Sequence, residues 1–257
     1  MPIAANLYYN HYSGERVGEY PPLVMIHGAG GNHLHWHPNL RRIKGYQIYA
    51  LDLPGHGKSA GVGYQSITQY VDSILEWMEA VELHKAVFVG HSMGSAIAIT
   101  IALDHPIHVL GLVLIGSGAR LKVNAELLDA SSSETTYRKA IDKIVKWSFY
   151  PDSPAELLEA VTRRMEEVRP SVLHGDFIAC DGFNEIERIA RIYKPTLVIC
   201  GEQDQMTPVR YSQYLADNIA NSQLVIVPKA GHMVTLEQPE LVIDAIEDFI
   251  PAIRYWI

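Results

Sequence analysis

Cysteine is scarce in this sequence, which contains only Cys180 and Cys200 among its 257 residues. The two residues do not form a C-x-x-C motif. The sequence therefore provides neither a disulfide framework nor a recognisable zinc-binding motif. We expect both thiols to lie in or near the protein core.

Long apolar runs and an excess of positive charge are also absent. No apolar stretch is long enough to span a membrane, and residues 1–14 lack the basic start and apolar core of a signal peptide. The formal net charge of −8 gives no basic surface for nucleic acid or an anionic membrane. The sequence thus favours small neutral partners and a cytoplasmic location, and it leaves the oligomeric state open.

The chain is long enough for one large α/β core that carries an insertion, with 48% hydrophobic and 19% charged residues. Apolar segments alternate with amphipathic ones, which predicts a mostly parallel sheet with helices on both faces. The predicted strands are 6–12, 23–26, 46–51, 86–89, 110–115, 196–200 and 224–227. A helix with an apolar face is predicted after Ser66, its N-cap, and another over 239–250.

Residues 119–193 interrupt this alternation. Helices are predicted there at 125–130, 135–149, 154–168 and 172–180, without a buried strand. We expect this insertion to form a helical lid, with Trp147 among the side chains that contact substrate.

The most informative stretch is AVFVGHSMGSAIAI, residues 86–99. A buried strand stops at Gly90-His91-Ser92-Met93-Gly94, and a helix of small apolar residues follows at once. Glycines on both sides of Ser92 make room for a cramped turn in which a Cβ would clash. The first N–H groups of the following helix point towards whatever binds Ser92, so the turn suits formation of an oxyanion.

A second glycine-rich loop, His27-Gly28-Ala29-Gly30-Gly31, follows the apolar strand 23–26. Its backbone N–H groups can turn towards a ligand and supply the other half of an oxyanion hole. The dinucleotide-binding pattern G-x-G-x-x-G is not matched here, which argues against a nucleotide site.

Histidines at positions 33, 35 and 37 suggest a metal site, but their spacing argues against one. Residues two apart do not share a helix face, and no carboxylate or cysteine ligand is nearby. We expect these histidines to be solvated or to lie at the pocket rim, with Trp36 at the pocket entrance. Asp52 and His56 lie in a loop rich in proline and glycine, and we expect them to hold that loop's own backbone.

Asp204 and His232 each follow one of the last two predicted strands. The carboxyl ends of parallel strands are where an open α/β sheet carries its chemistry. Glu202 lies on the same loop as Asp204 and is its nearest rival.

The motifs HGAGG, DLPGHGKS, GHSMG, GEQDQMTP and AGH, in this order, resemble those of the α/β-hydrolase superfamily, in the branch with a helical cap after the sixth strand. The resemblance implies an eight-stranded, mostly parallel sheet, with core residues 1–118 and 194–257 and cap residues 119–193. It also implies Ser92 as nucleophile, His232 as base and Asp204 as the orienting acid. The N–H groups of Ala29 and Met93 would then form the oxyanion hole.

Serine at position 92 favours acyl chemistry, whereas the family's dehalogenases and epoxide hydrolases use aspartate there. The expected activity is hydrolysis of small to medium carboxylic esters, without a cofactor or metal. Lactone hydrolysis, carbon–carbon bond hydrolysis and perhydrolysis remain open, as does a receptor-like protein with slow turnover. The substrate-binding candidates are Gly28, Trp36, His91, Trp147 and Met233.

Overall fold

A computed structural model describes residues 2–14 and 19–253 of the chain. It contains an eight-stranded sheet in the order β1-β2-β4-β3-β5-β6-β7-β8. The strands are β1 (Ile3–Ala4), β2 (Leu7–Ser13), β3 (Leu23–Ile26), β4 (Gln47–Leu51), β5 (Ala86–His91), β6 (Val109–Ile115), β7 (Thr196–Gly201) and β8 (Ser222–Val227). Strand β2 is antiparallel to its neighbours β1 and β4, whereas the pairs from β4 to β8 are parallel.

Helices cover both faces of this sheet. They are α1 (Ile67–Ala80), α2 (Met93–Asp104), α3 (Ala125–Ser131), α4 (Glu134–Ser148), α5 (Ala155–Glu166), α6 (Pro170–Gly182), α7 (Val209–Asn218), α8 (Val234–Glu237) and α9 (Pro239–Ile253). Helices α3 to α6 lie between β6 and β7, so the predicted helical insertion after the sixth strand is confirmed. The predicted fold class, a mostly parallel α/β sheet, is confirmed as well.

The central strands are apolar on both sides because each of their faces contributes to a core. In β3, Val24 and Ile26 pack in the cluster that contains helices α1 and α2. Leu23 and Met25 point the other way and pack in the cluster that contains helix α9. Alternation of side chains along a strand therefore divides one short apolar segment between two cores.

The helical insertion has a third apolar cluster of its own, which includes Ile141, Val161 and Leu173. Met233 and Leu236, which follow β8, belong to the same cluster. The insertion is therefore packed directly against the segment that carries His232.

Some local details differ from the sequence predictions. Ser66 is at the N-cap of α1 as predicted, but its side chain accepts no hydrogen bond from the helix. Strand β5 continues to His91, two residues beyond the predicted end. Both cysteines are free and buried, as expected. Within the described residues, no helix is both long and apolar enough to cross a membrane.

Candidate active site

Ser92 lies between β5 and α2 with φ 53° and ψ −117°. A side chain in this backbone region is strained, by about 1–3 kcal/mol, and such strain persists only where the surrounding structure enforces it. Here the Ser92 N–H donates to the carbonyl of Ile115 at 2.8 Å, which ties the turn to the end of β6. The turn therefore holds Ser92 at the carboxyl edge of the sheet.

Glycine is required on both sides of this turn because the backbone approaches itself closely. A Cβ at Gly90 would lie 2.3 Å from the carbonyl oxygen of Gly94. A Cβ at Gly94 would lie 2.0 Å from the carbonyl oxygen of Ile26. The clash predicted from the sequence is confirmed, and it involves β3 as well as the turn itself.

His232 and Asp204 are joined by a short contact, with 2.8 Å between imidazole Nδ1 and carboxylate Oδ2. Both residues are buried. Since a carboxylate only accepts hydrogen bonds, this contact places the proton of a neutral His232 on Nδ1 and leaves Nε2 able to accept one. The parallel pairing of β7 with β8 brings the two loops together.

The Asp204 carboxylate is held by its own loop. Its Oδ1 accepts the N–H groups of Met206 and Thr207, each at 2.8 Å, and its Oδ2 accepts the Thr207 hydroxyl at 2.8 Å. Burial raises the pKa of Asp204, but His232 and Thr207 together lower it by more than burial raises it. The carboxyl pKa therefore lies below its usual range. The sequence reasoning did not include Thr207, although Asp side chains often bond to backbone groups of nearby residues in turns.

Glu202 does not share this environment. Its side chain is exposed, and its backbone N–H donates to Val227. Of the two acidic residues on the loop, Asp204 is the one that contacts His232.

Two N–H groups of the glycine-rich loop after β3 are used within the protein. The N–H of Gly31 donates to the carbonyl of Gly28 at 3.0 Å, and the N–H of Gly30 donates to Asp176 at 2.8 Å. Among the described residues, the N–H groups of Ala29 and Met93 make no hydrogen bond.

Asp176 on α6 forms a buried network that the sequence reasoning did not predict. Its Oδ2 accepts the Gly30 N–H and contacts His56 Nε2 at 2.8 Å, while its Oδ1 accepts the Tyr70 hydroxyl at 2.6 Å. The other ring nitrogen of His56 faces the carbonyl of Pro54 at 3.0 Å. Because both nitrogens face acceptors, the network favours the imidazolium form of His56.

The ionisation of His56 follows from two opposing effects. Burial alone lowers its pKa, but the Asp176 carboxylate and the Pro54 carbonyl raise it by more, so the net pKa is above the ordinary histidine value. His56 thus helps to hold its loop, as the sequence predicted, and it also joins that loop to the helical insertion.

Two cavities meet at Ser92. The larger, of about 440 Å³, is lined by Ala29, Ser92, Trp147, Phe177 and other residues of the insertion and of the Asp204 loop. The smaller, of about 40 Å³, is lined by Ser92 and His232, and by three of the substrate-binding candidates, Gly28, His91 and Met233. The structure therefore brings four of the five candidates to the cavities beside Ser92.

Trp36 is the exception, and its predicted place at the pocket entrance is wrong. Only 1% of its surface is exposed, and it belongs to the core cluster on the α9 face of the sheet. It contacts the site indirectly, edge-on against the His91 ring with 6.4 Å between ring centroids. Trp36 packs instead in the core cluster that contains Leu23 and Met25 of β3.

His91 contacts His232 directly. Its Nε2 donates to the carbonyl of His232 at 2.9 Å, and the two ring centroids are 4.8 Å apart. Burial and the neighbouring His232 lower the pKa of His91 to about 3. His91 is therefore a neutral support for the loop that carries His232.

The first two histidines of the 33–37 cluster are buried rather than solvated, although His35 lines a cavity, which was the other expectation for this cluster. His33 is buried and its Nδ1 contacts Asp52 at 2.8 Å, while His35 is buried and lines the smaller cavity. Burial and Arg164 lower the pKa of His35 to about 4.

Asp52 also accepts the N–H groups of His33 and Lys58, so its predicted structural role is confirmed. In the described parts of the chain, no group of three side chains has the arrangement of a metal site.

Comparison with known proteins places this fold and site in a family. A family model described as the alpha/beta hydrolase fold matches residues 21–239, so the chain belongs to the α/β-hydrolase family and is a hydrolase. One relative, the 2-hydroxymuconate semialdehyde hydrolase of Pseudomonas sp. strain CF600, is 32% identical over 252 residues, which are 89% of this chain and 86% of the relative.

Two solved structures are similar over nearly their whole length. A thermophilic esterase is 34% identical, with a TM-score of 0.81 and coverage of 96% of this chain and 98% of the other. Est816, described as an N-acyl homoserine lactone degrading enzyme, is 28% identical, with a TM-score of 0.82 and coverage of 95% and 96%.

Proposed function

We propose that this protein is a serine hydrolase of small to medium carboxylic esters, with Ser92, His232 and Asp204 as its catalytic triad. The observation that carries the proposal is the 2.8 Å contact between Asp204 and His232 Nδ1, beside a cavity that also contains Ser92. This contact leaves His232 Nε2 as the ring nitrogen that can take the proton of the Ser92 hydroxyl.

In the first half-reaction, His232 Nε2 takes the Ser92 proton as Oγ bonds to the ester carbonyl carbon, and the carbonyl oxygen becomes an oxyanion. The N–H groups of Ala29 and Met93 donate to that oxygen. As the carbon–oxygen bond to the alcohol breaks, the proton on His232 passes to the departing oxygen. Asp204 stabilises the intervening imidazolium.

In the second half-reaction, His232 takes a proton from water as the water oxygen attacks the acyl-enzyme. The same two N–H groups stabilise the second oxyanion. The bond to Ser92 Oγ breaks, the serine regains its proton from His232, and the carboxylic acid leaves. No step in this sequence calls for a metal or a cofactor.

We assign residues 1–118 and 194–257 to the catalytic core and residues 119–193 to a cap that acts as a lid. The cap contributes Trp147 and Phe177 to the cavity wall, and Asp176 to the loop that carries Ala29. A cavity of about 440 Å³ is at the small end of ligand sites, which supports short and medium acyl groups.

Lactone hydrolysis is the second candidate, supported by the similarity to Est816. A lactone is a cyclic ester, and the same oxyanion hole and triad would open it, with the alcohol remaining attached to the acyl group. The two candidates differ in whether a separate alcohol leaves before water enters.

The test is a panel of p-nitrophenyl esters of increasing acyl length, with lactones beside them, assayed over many turnovers. We expect steady hydrolysis of short and medium esters and labelling of Ser92 by a fluorophosphonate. Release of only one equivalent of product would favour a receptor-like protein with slow turnover. Labelling of another serine in the folded protein would overturn the assignment of Ser92.

A further inference from the structure

The lining of the large cavity differs in charge from the rest of the molecule. The chain has 29 acidic and 21 basic residues, yet the cavity is lined by Lys122 and Arg210 without an aspartate or glutamate among its described lining residues. A cleft lined by charge of one sign concentrates ligands of the opposite sign. The charged side chains among the described lining residues of this cavity are thus all basic, on a protein of net negative charge.

These cations continue into a neighbouring groove of about 430 Å³, whose lining includes Arg120 together with Lys122 and Arg210. Of these three cations, Lys122 pairs with a carboxylate in the described part of the chain. Its ammonium lies 2.8 Å from Asp181, which also accepts the Val123 N–H. Neither Arg120 nor Arg210 forms an ion pair in the described part of the chain. The cluster therefore retains positive charge after its internal pairing.

Arg210 is the cation best placed to bind a substrate. It lies in the first turn of α7, a few residues after the Asp204 loop, and it lines the same cavity as Ser92. Its guanidinium carbon lies 5.0 Å from the centre of the Tyr211 ring, a contact that restricts where the side chain can point. A planar guanidinium can bind a carboxylate through two parallel hydrogen bonds.

We propose that the preferred substrates are esters that carry a free carboxylate, held by Arg210. This inference rests on the proposed esterase function and specifies its substrate class. Arg210 and Ser92 line the same cavity, so one substrate can contact the guanidinium through its carboxylate and Ser92 through its ester. The local charge thus modifies the expectation of neutral partners that the net charge suggested.

The test compares two p-nitrophenyl esters of matched length, the neutral pentanoate and the hemiglutarate, at low salt. Wild-type protein is expected to favour the hemiglutarate by about tenfold in kcat/KM, since a charge-assisted hydrogen bond is worth roughly that factor. Arg210→Gln should reduce this preference about tenfold, with Arg210→Lys in between, and high salt should weaken the preference. The matched control is Arg163→Gln, an exposed arginine on α5 away from the cavity lining, which should leave the preference unchanged.

A binding measurement makes the result independent of turnover. In the Ser92→Ala background, calorimetry should find that the hemiglutarate binds about tenfold more tightly than the pentanoate, and that Arg210→Gln removes the difference. Equal binding of the two esters, or a preference unchanged by Arg210→Gln in a variant with wild-type thermal stability, would overturn the inference. Hydrolysis of the pentanoate with no carboxylate preference would overturn this inference alone. Charge-selective binding, together with wild-type protein that neither turns over an ester nor is labelled at Ser92, would support the assignment of Arg210 as the carboxylate-binding residue. The same result would overturn the proposed esterase function.

Discussion

His56 Nε2 lies 2.8 Å from a carboxylate oxygen of Asp176, and both side chains are fully buried. The two residues are 120 positions apart in sequence. Asp176 belongs to the helical insertion, whereas His56 belongs to the loop after β4, so their contact joins the insertion to the sheet. Because Asp176 also accepts the Gly30 N–H, the same carboxylate stabilises the loop that presents Ala29.

Replacing Asp176 should therefore reduce both stability and activity. Asp176→Asn leaves a buried imidazolium without its counter-charge, and we expect the free energy of unfolding in urea to fall by about 3–5 kcal/mol. The surviving folded protein should show a lower kcat, because the Gly30 N–H loses a charged acceptor next to Ala29. The control is Glu156→Gln at an exposed position on α5, where the change should stay within about 0.5 kcal/mol. Equal stability of the two variants would contradict this role for Asp176.

The stabilisation supplied by the His56–Asp176 pair should weaken as the pH rises. Burial lowers the pKa of His56, but Asp176 raises it by more than burial lowers it. The native state therefore holds the second imidazole proton of His56 more tightly than the unfolded state does. The contribution is therefore complete below the ordinary histidine value of 6.5 and is lost as the pH rises through the folded pKa. Urea unfolding of wild type and Asp176→Asn from about pH 6 to about pH 10 should show the gap in stability narrowing. A constant gap would mean that His56 is not charged.

Changes at Ser92 should separate its chemistry from its backbone strain. Ser92→Ala and Ser92→Gly both remove the nucleophile, so ester hydrolysis should fall by about 10⁴-fold or more. Alanine keeps the strained φ of 53°, whereas glycine adopts it freely, so the glycine variant should be more stable, by up to ~1 kcal/mol. Urea denaturation checks this order. The assignment fails if either variant hydrolyses esters at near wild-type rates.

The two acidic residues after β7 should respond very differently to neutralisation. Asp204→Asn allows the wrong imidazole tautomer of His232 and should reduce kcat by roughly 10³–10⁴. Glu202→Gln changes an exposed side chain and should have little effect. Circular dichroism and thermal melts provide the check on folding. The reverse order of effects would identify Glu202 as the acid of the triad.

The dependence of activity on pH should consist of one rising ionisation followed by a plateau. Asp204 has a lowered pKa, and the pKa values of His91 and His35 are about 3 and about 4, so these groups do not change charge near neutral pH. The proposed general base must be neutral to take the Ser92 proton, so kcat/KM for a neutral ester should increase with pH. Steady-state kinetics with a short p-nitrophenyl ester can measure this profile. A kcat/KM that falls as the pH rises through neutrality would mean that the imidazolium form is required, and would exclude His232 as the base.

The sequence predicted the elements whose patterns are strong. Strand β3 is apolar at every position because both of its faces are buried, and its bounds were predicted without error. The turn around Ser92 was predictable because close backbone approach leaves glycine as the residue that fits. Asp204 and His232 were singled out by their place after parallel strands, where loops from neighbouring strands meet, and their proposed roles came from the resemblance to the α/β-hydrolase superfamily.

Other features depend on contacts that no local pattern encodes. Helix α7 was missed because its buried residues are only Ser212 and Leu215, so its apolar signal is weak. Asp176 was missed because its partners come from distant segments of the chain. Trp36 was placed at the pocket because aromatic residues near a site suggest substrate contact, whereas the core beside β3 had room for it.

The proposed catalytic residues lie on separate segments that come together only in the finished sheet. Ser92 follows β5, whereas Asp204 and His232 follow β7 and β8, whose register pairs Gly201 with Val227. A chain in which β8 has not yet joined the sheet would possess the strained serine but not its base. Hydrolytic activity should therefore return during refolding only when β8 has joined the sheet, an event that the far-UV signal of the helices would not reveal.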